Sequence, residues 1–350
     1  MIVSRALLAT LLGVAFTFVA PARADEPFRY PAARHGKGEL KYVDELPVLL
    51  VQGTPDEIGE QMGTLALKPA STLVTFADEF VKSRGLESVY PLLLRTGTFM
   101  TPQFPPDHLR ELEAAAKASG WSRDLLVFGN TFPDLRKLGG CSALIVEPGR
   151  SGTGGPLFGR NLDWRPFGSL HEYTLVVVCR GEGKHAFASV TYPGMLGCVT
   201  GINDAGLTLA DLSVSSANDD SATFNPAGTP YTLALRRVLE ECATVEEAEK
   251  LLRSLKRTIM QNVVICDTKR GAVFEITTKT IVVRDSLDDV CACTNHFRTR
   301  ELATDYTQCP RYALLEKSRE SEKLGVADVA KMMDGVHQGD TTLQTMVIEP

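Results

Sequence analysis

The order of apolar runs after residue 140 constrains the fold more than any other feature of this chain. Four short apolar runs come first: Ser142–Glu147, Tyr173–Arg180, His185–Tyr192 and Leu207–Leu212. Each is bounded by turn residues and has the length of a strand. Two helical stretches follow. Thr229-Pro230 opens a run through Cys242, and Thr244-Val245-Glu246-Glu247 opens another that carries Leu251, Leu252 and Leu255. A second set of strands closes the series, at Asn262–Asp267, Ala272–Ile276, Thr280–Arg284 and Val290–Thr294. Asn203-Asp204-Ala205-Gly206 and Asp267-Thr268-Lys269-Arg270-Gly271 have turn chemistry. Strands, helices and strands in this order fit an α+β class, with two sheets packed face to face and helices outside.

The stretch before Gly139-Gly140 has a different character. Thr54-Pro55-Asp56-Glu57 is a capping box with proline at the first helical position. Ile58, Met62 and Leu65 then recur at helical spacing. A second amphipathic stretch begins near Asp107, carries Leu109, Leu112 and Ala116, and stops at Ser119-Gly120. Residues 25–140 are therefore expected to be mostly helical.

The first residues are expected to lie outside that core. Arg5 precedes a 15-residue apolar run, Ala6 to Ala20, and Ala22-Arg23-Ala24 forms a small-x-small cleavage site. This is the pattern of a secretory signal peptide over residues 1–24. The run is short of the roughly 20 residues that span a bilayer, so no stable membrane span is expected. The implied location is secreted or periplasmic. The formal charge of −6 becomes −8 once Arg5 and Arg23 are removed, since residues 1–24 contain no acid. An acidic exported chain argues against nucleic acid as a partner. The eight cysteines include no CxxC pair, so no metal and no cofactor is expected.

Gly139-Gly140-Cys141-Ser142 is the candidate centre of chemistry. Two glycines before a strand allow an unusual turn, and the cysteine sits where it can attack the preceding carbonyl. A buried cysteine opening a strand is the plain structural alternative. Gly159-Arg160-Asn161-Leu162-Asp163-Trp164 follows at the distance of a hairpin return. It brings a guanidinium that favours thiolate, and a carboxylate that can orient an amine.

Together with the stretches from Tyr192-Pro193-Gly194 to Leu207, from Asn262 to Glu275, and Thr294-Asn295-His296-Phe297, these residues form a recognisable series. The chain resembles the choloylglycine hydrolase and penicillin acylase superfamily of N-terminal-nucleophile (Ntn) hydrolases. The branch it is most similar to is that of acyl-coenzyme A:6-aminopenicillanate acyltransferase-like precursors. The resemblance runs from about Leu46 to the C-terminus, where Thr342–Pro350 is similar to the family's penultimate strand. It implies a four-layer αββα sandwich of two antiparallel sheets. It also implies a helical propeptide over 25–140 and a catalytic domain over 141–350.

Site roles implied by the resemblance are as follows. Cys141 matches the nucleophile, freed by autocatalytic cleavage at Gly140-Cys141. Arg160 and Asp163 match the pair beside it, and Asn262 the side-chain amide of the oxyanion hole. Arg311 matches a later arginine, although Pro310 stands where the family often has serine. A backbone donor is expected near Asp211–Ser213. The expected reaction is attack on a linear amide C–N bond in a small-molecule or peptide substrate, with the propeptide either retained or released. Alternatives within the superfamily are a lipid acyl hydrolase of acid-ceramidase-like or phospholipase-B-like type, and an acyltransferase. A non-catalytic exported binding protein is the alternative outside enzymes. A papain-like pairing of cysteine with His296 lacks that family's sequence context around any cysteine here.

Overall fold

Sheet structure begins earlier than helical periodicity alone suggests. The computed structural model describes residues 28–350 except 75–80, 83–84, 86–87, 89, 136–138, 165–169 and 305–307. The expected signal peptide lies outside the described residues. Three strands, β1 (Ala33–His35), β2 (Gly38–Val43) and β3 (Leu46–Gly53), precede the first helix. In β3 burial alternates, with Leu49 and Val51 turned inward. That period of two marks a strand packed on one face. The N-terminal stretch is thus helical only after residue 54.

The capping box at Thr54 is present as expected, with Glu57 N donating to Thr54 Oγ1 and Thr54 N to the Glu57 carboxylate. It opens α1 (Pro55–Met62). Next come α2 (Tyr90–Thr98), α3 (Pro106–Ser119) and α4 (Arg123–Leu135). Gly120 ends α3 in the left-handed conformation, φ 81°. After the Gly139-Gly140 junction come β4 (Gly140–Val146), β5 (Leu157–Asp163), β6 (Leu175–Gly181), β7 (Phe187–Thr191), β8 (Thr200–Asn203) and β9 (Thr208–Ser213). The helical pair is α5 (Tyr231–Glu241) and α6 (Val245–Ser254). The second strand set is β10 (Gln261–Cys266), β11 (Gly271–Ile276), β12 (Ile281–Asp285) and β13 (Val290–Cys293). The chain finishes with α7 (Pro310–Glu316), α8 (Val326–Gly335) and β14 (Thr342–Ile348).

The strands form two sheets. One has the order β1-β2-β3-β6-β7-β8-β9-β10-β11-β12, and the other β13-β4-β5-β14. Three apolar clusters show how they stack. Ile58, Leu112, Leu235 and Leu252 on the helices meet Leu49, Val177, Leu209 and Ile265 on one face of the large sheet. Its other face gives Ala210, Val264 and Val273 to a cluster with Cys141, Ile145, Phe158 and Cys291 of the small sheet. The outer face of the small sheet packs Leu144, Val146 and Leu157 against Leu315, Val329 and Met333 of α7 and α8. The result is the αββα order of layers. One departure from the expected antiparallel sheets is β3, which pairs with β6 in parallel. A parallel neighbour needs a long crossover, and the helices between residues 54 and 135 supply it.

The N-terminal stretch is tied to the rest of the protein by buried polar contacts. The guanidinium of Arg236 on α5 binds both oxygens of Glu111 on α3, at 2.7 and 2.6 Å, and Glu240 at 2.8 Å. His108 on α3 meets the second oxygen of Glu240 at 2.9 Å. All four residues are buried. Asn130 on α4 donates to Gly194 O at 2.7 Å and accepts from Leu196 N at 2.8 Å. Asp134 on α4 accepts from Tyr231 N at 3.0 Å, at the start of α5.

Arg236 is only 3% exposed, so removing its bidentate partner leaves a charge that water does not reach. Glu111→Ala is expected to lower unfolding stability by about 3–5 kcal/mol. Chemical denaturation of the full chain measures it, and a loss below about 1 kcal/mol would show that the cluster does not bind α3 to α5.

Candidate active site

Cys141 lies near the start of β4, one of the two inner strands of the small sheet. It pairs with Leu162 of β5 and faces the inter-sheet cluster. Arg160, opposite Ala143 in the same ladder, faces the same way. Its Nε donates to Thr200 Oγ1 at 3.4 Å, and Nη2 lies 4.0 Å from Asp211 Oδ1. Burial pushes the Cys141 thiol above the ordinary thiol value. The Arg160 cation pulls it down, and the Asp211 and Asp163 carboxylates push it up. Burial wins, so the sulfur is held as a thiol. Asp211 is itself raised by burial to about 6, with Arg160 opposing.

Asp163 belongs to the other face. Residues three apart on a strand point to opposite sides, so Asp163 and Arg160 reach the Cys141 region from opposite faces of β5. Asp163 accepts from Thr342 Oγ1 at 2.6 Å on one oxygen and from Gln338 Nε2 on the other. Arg311, in the first turn of α7, stands 3.7 Å from it. The same guanidinium donates to Cys141 O at 2.6 Å, to Ser142 Oγ at 2.9 Å and to Asn295 Oδ1 at 3.1 Å. Proline at position 310 fits the first position of α7, which needs no N–H.

The junction is held closely. Gly139 has φ 80°, and a Cβ there would overlap the Asp163 carbonyl oxygen. Only glycine allows this approach of main chain to main chain. A Cβ on Gly140 would run into the Gln338 amide. Cys141 N donates to Asn295 Oδ1 at 2.7 Å. That contact extends a register already set: Cys293 pairs with Ala143, so the chain beyond β13 runs past Ser142 towards Cys141.

The structure redirects Asn262. Its Nδ2 donates to Thr294 O at 2.9 Å and to His296 O at 3.0 Å, which commits both N–H bonds. Turning the amide over would set Oδ1 against two carbonyl oxygens, so the orientation is fixed by the network. Asn262 therefore presents no free donor, which corrects its expected place in the oxyanion hole. The amide that touches the junction is Asn295, which sequence reading passed over. Its signal lay within the Thr294-Asn295-His296-Phe297 stretch and in the continuation of β13 opposite β4. Asn295 Nδ2 donates to Ser213 O at 2.9 Å, which brings the end of β9 to the site. His296 contacts Thr294 Oγ1 and Arg298. Burial, with Arg298, Arg284 and Arg311 nearby, pushes it down to about 4, so it is neutral.

All eight cysteines are unpaired. No helix among the described residues is long and apolar enough to cross a membrane.

Residues 150–339 match the family described as acyl-coenzyme A:6-aminopenicillanic acid acyl-transferase. That span holds Arg160, Asp163, Asn262, Asn295 and Arg311 and starts just downstream of Cys141. Among curated proteins, the chain is similar to the acyl-coenzyme A:6-aminopenicillanic-acid-acyltransferase 40 kDa form of Emericella nidulans. The two are 26% identical over 208 residues, 57% of this chain and 55% of that protein. It is also 23% identical over 282 residues to an uncharacterized protein of Archaeoglobus fulgidus, 71% of this chain and 45% of the other. The chain thus spans about half the length of the curated relatives it matches. Among solved structures, an N-acylethanolamine-hydrolyzing acid amidase ortholog of Caenorhabditis elegans aligns at TM-score 0.45 and 17% identity, over 60% of this chain and 92% of that one. Penicillin V acylase of Agrobacterium tumefaciens aligns at TM-score 0.38 and 14% identity, over 60% and 80%. With the family match extending over more than half of its length, the chain belongs to the acyl-coenzyme A:6-aminopenicillanic acid acyl-transferase family.

Proposed function

We propose that this chain is the precursor of an exported amide hydrolase that cuts itself between Gly140 and Cys141 and then uses Cys141 as an N-terminal nucleophile. The observation that carries the reading is the set of contacts on the junction itself. Asn295 takes the Cys141 N–H, and Arg311 holds the Cys141 carbonyl. The bond proposed to break is thus fixed on its C-terminal side before anything happens to it.

In the first step the Cys141 sulfur attacks the Gly140 carbonyl carbon. An S–C bond forms, the C–N bond breaks, and the thiol proton passes to the departing nitrogen. The product is a thioester of Gly140 on Cys141, with a free α-amine. Water then adds to the thioester, releases Gly140 as a carboxylate and restores the thiol. Asn295 has one N–H beyond its bond to Ser213, and this is our candidate donor to the oxyanion. A donor of that kind contributes about 10²–10³-fold in kcat.

For turnover, the new α-amine has an ordinary pKa of about 7.7–8.0 and can take the thiol proton near neutral pH. Arg160 favours the thiolate once the proton leaves. Asp163 and Arg311 brace the outer side of the new terminus. The sulfur attacks the carbonyl of a linear amide, the C–N bond breaks and the nitrogen leaves as the amine with the proton held by the α-amine. Water then hydrolyses the thioester, releasing the acyl group as a carboxylic acid and restoring the thiol. An amine in place of water gives acyl transfer, the reaction named in the family's description. Residues 25–140 are proposed to stay bound after the cut, because one covalent bond is lost while three strands and the Arg236–Glu111 contacts remain.

Several outcomes are expected. Cys141→Ala gives an uncut chain, and Cys141→Ser cuts slowly, because a hydroxyl still attacks. N-terminal sequencing of wild-type material should find a 210-residue fragment beginning Cys-Ser-Ala-Leu. Normal two-fragment protein from the alanine variant would exclude self-cleavage. Gly139→Ala is expected to slow the cut at least about 100-fold, because a shift of about 1 Å at a reacting centre has that effect; cleavage at the wild-type rate would contradict the need for close approach. The two fragments should co-elute on gel filtration without denaturant, and separate elution would refute retention.

A further inference from the structure

Asn262 and Glu275 face each other across β10 and β11, and both are fully buried. Among the described residues, neither is hydrogen-bonded to Cys141. Each side chain instead takes hold of the main chain of one loop, the stretch from Thr294 to Thr299. Asn262 donates to the carbonyls of Thr294 and His296, the residues on either side of Asn295. Glu275 accepts from Arg298 N at 2.7 Å, and from Thr299 N and Thr299 Oγ1 at 3.0 and 2.6 Å. The loop begins where β13 leaves the ladder, so its main-chain groups lose their strand partners, and buried main-chain groups require others. Here they come from two side chains on adjacent strands of the opposite sheet.

We propose that Asn262 and Glu275 are positioning residues, a clamp between sheets that fixes the main chain around Asn295 and thereby sets its amide against the Gly140-Cys141 junction. This rests on the role given above to Asn295. Bonds to the carbonyls before and after residue 295 restrict its φ and ψ. The Glu275 contacts anchor the loop three and four residues further on. The aim of Asn295 is thus referred to the rigid large sheet, while Cys141 belongs to the small one. Catalytic groups need placement to about 0.5 Å, and misplacement by about 1 Å costs on the order of 100-fold in rate. Asn262 uses only its donor half in this work: its Oδ1 has no hydrogen-bond partner among the described residues.

The chain is its own substrate, so the test needs no external ligand. Precursor is made by cell-free synthesis, and the rate of appearance of the 210-residue fragment is followed over days. Asn295→Ala, Asn262→Ala and the double variant are compared. Asn262→Ala is expected to cut about 100-fold more slowly with an unchanged pH profile, since the thiol and its neighbours are untouched. The double variant should be no slower than Asn295→Ala alone, because the clamp acts only through that amide. A merely structural role predicts multiplied effects and a shifted profile. If Asn262→Ala does not fold, Glu275→Gln replaces it in the same cycle; it keeps one carbonyl acceptor and should cut about tenfold more slowly, again without adding to Asn295→Ala. Wild-type cleavage by Asn295→Ala overturns the role of Asn295 and the clamp together. A slow Asn295→Ala beside a normal clamp variant, or multiplied effects in the double variant, overturns the clamp alone.

Discussion

A hydrogen bond from the Cys141 amide to the Asn295 side chain joins the two parts of the chain that the rest of the site is arranged around. It can form only because β4 and β13 are antiparallel neighbours in fixed register. One residue of slip would turn the sulfur from the inter-sheet space to the outer face. The two ladders that flank β4 therefore fix which atoms meet. Cys141 and Arg160 look inward between the sheets. Asp163, Ser142 and Arg311 gather outside. The peptide bond between Gly140 and Cys141 lies where those two environments join.

That division explains what was legible in the sequence and what was not. The strand and helix blocks after residue 140 could be read because their apolar runs and caps are local signals. The Thr54 and Thr244 caps and the Gly120 stop behave as their residue types dictate. Strands β1 to β3 were harder to see. β1 and β2 are short and partly exposed, and β3 is joined to the rest of the sheet through β6, more than a hundred residues away, which no local pattern encodes. Arg160 and Asp163 were found as residues, yet their three-residue spacing already placed them on opposite faces once β5 was recognised as a strand. The two asparagines were the hardest. Asn262 lies near the start of β10 and Asn295 in the polar break after β13, and only the meeting of two sheets shows that one touches the junction while the other holds its loop.

The electrostatics follow the same geometry. The sulfur is desolvated, and Arg160 does not outweigh that burial. The α-amine that the proposed cut would free on Cys141 would add a proton acceptor within reach of its own side chain. His296 is held neutral by burial and by three arginines. Its ring contacts Thr294 Oγ1 and Arg298 within the loop.

The parallel pairing of β3 with β6 has a consequence for the protein's lifetime in solution. In the large sheet, everything beyond β3 on that side belongs to the stretch before the junction. Without that stretch, β6 would present a row of open main-chain donors and acceptors, with Val177 and Cys179 uncovered beside it. Bare edges of this kind recruit strands from other molecules. The N-terminal segment thus closes that edge, and a chain lacking it would be expected to precipitate more readily.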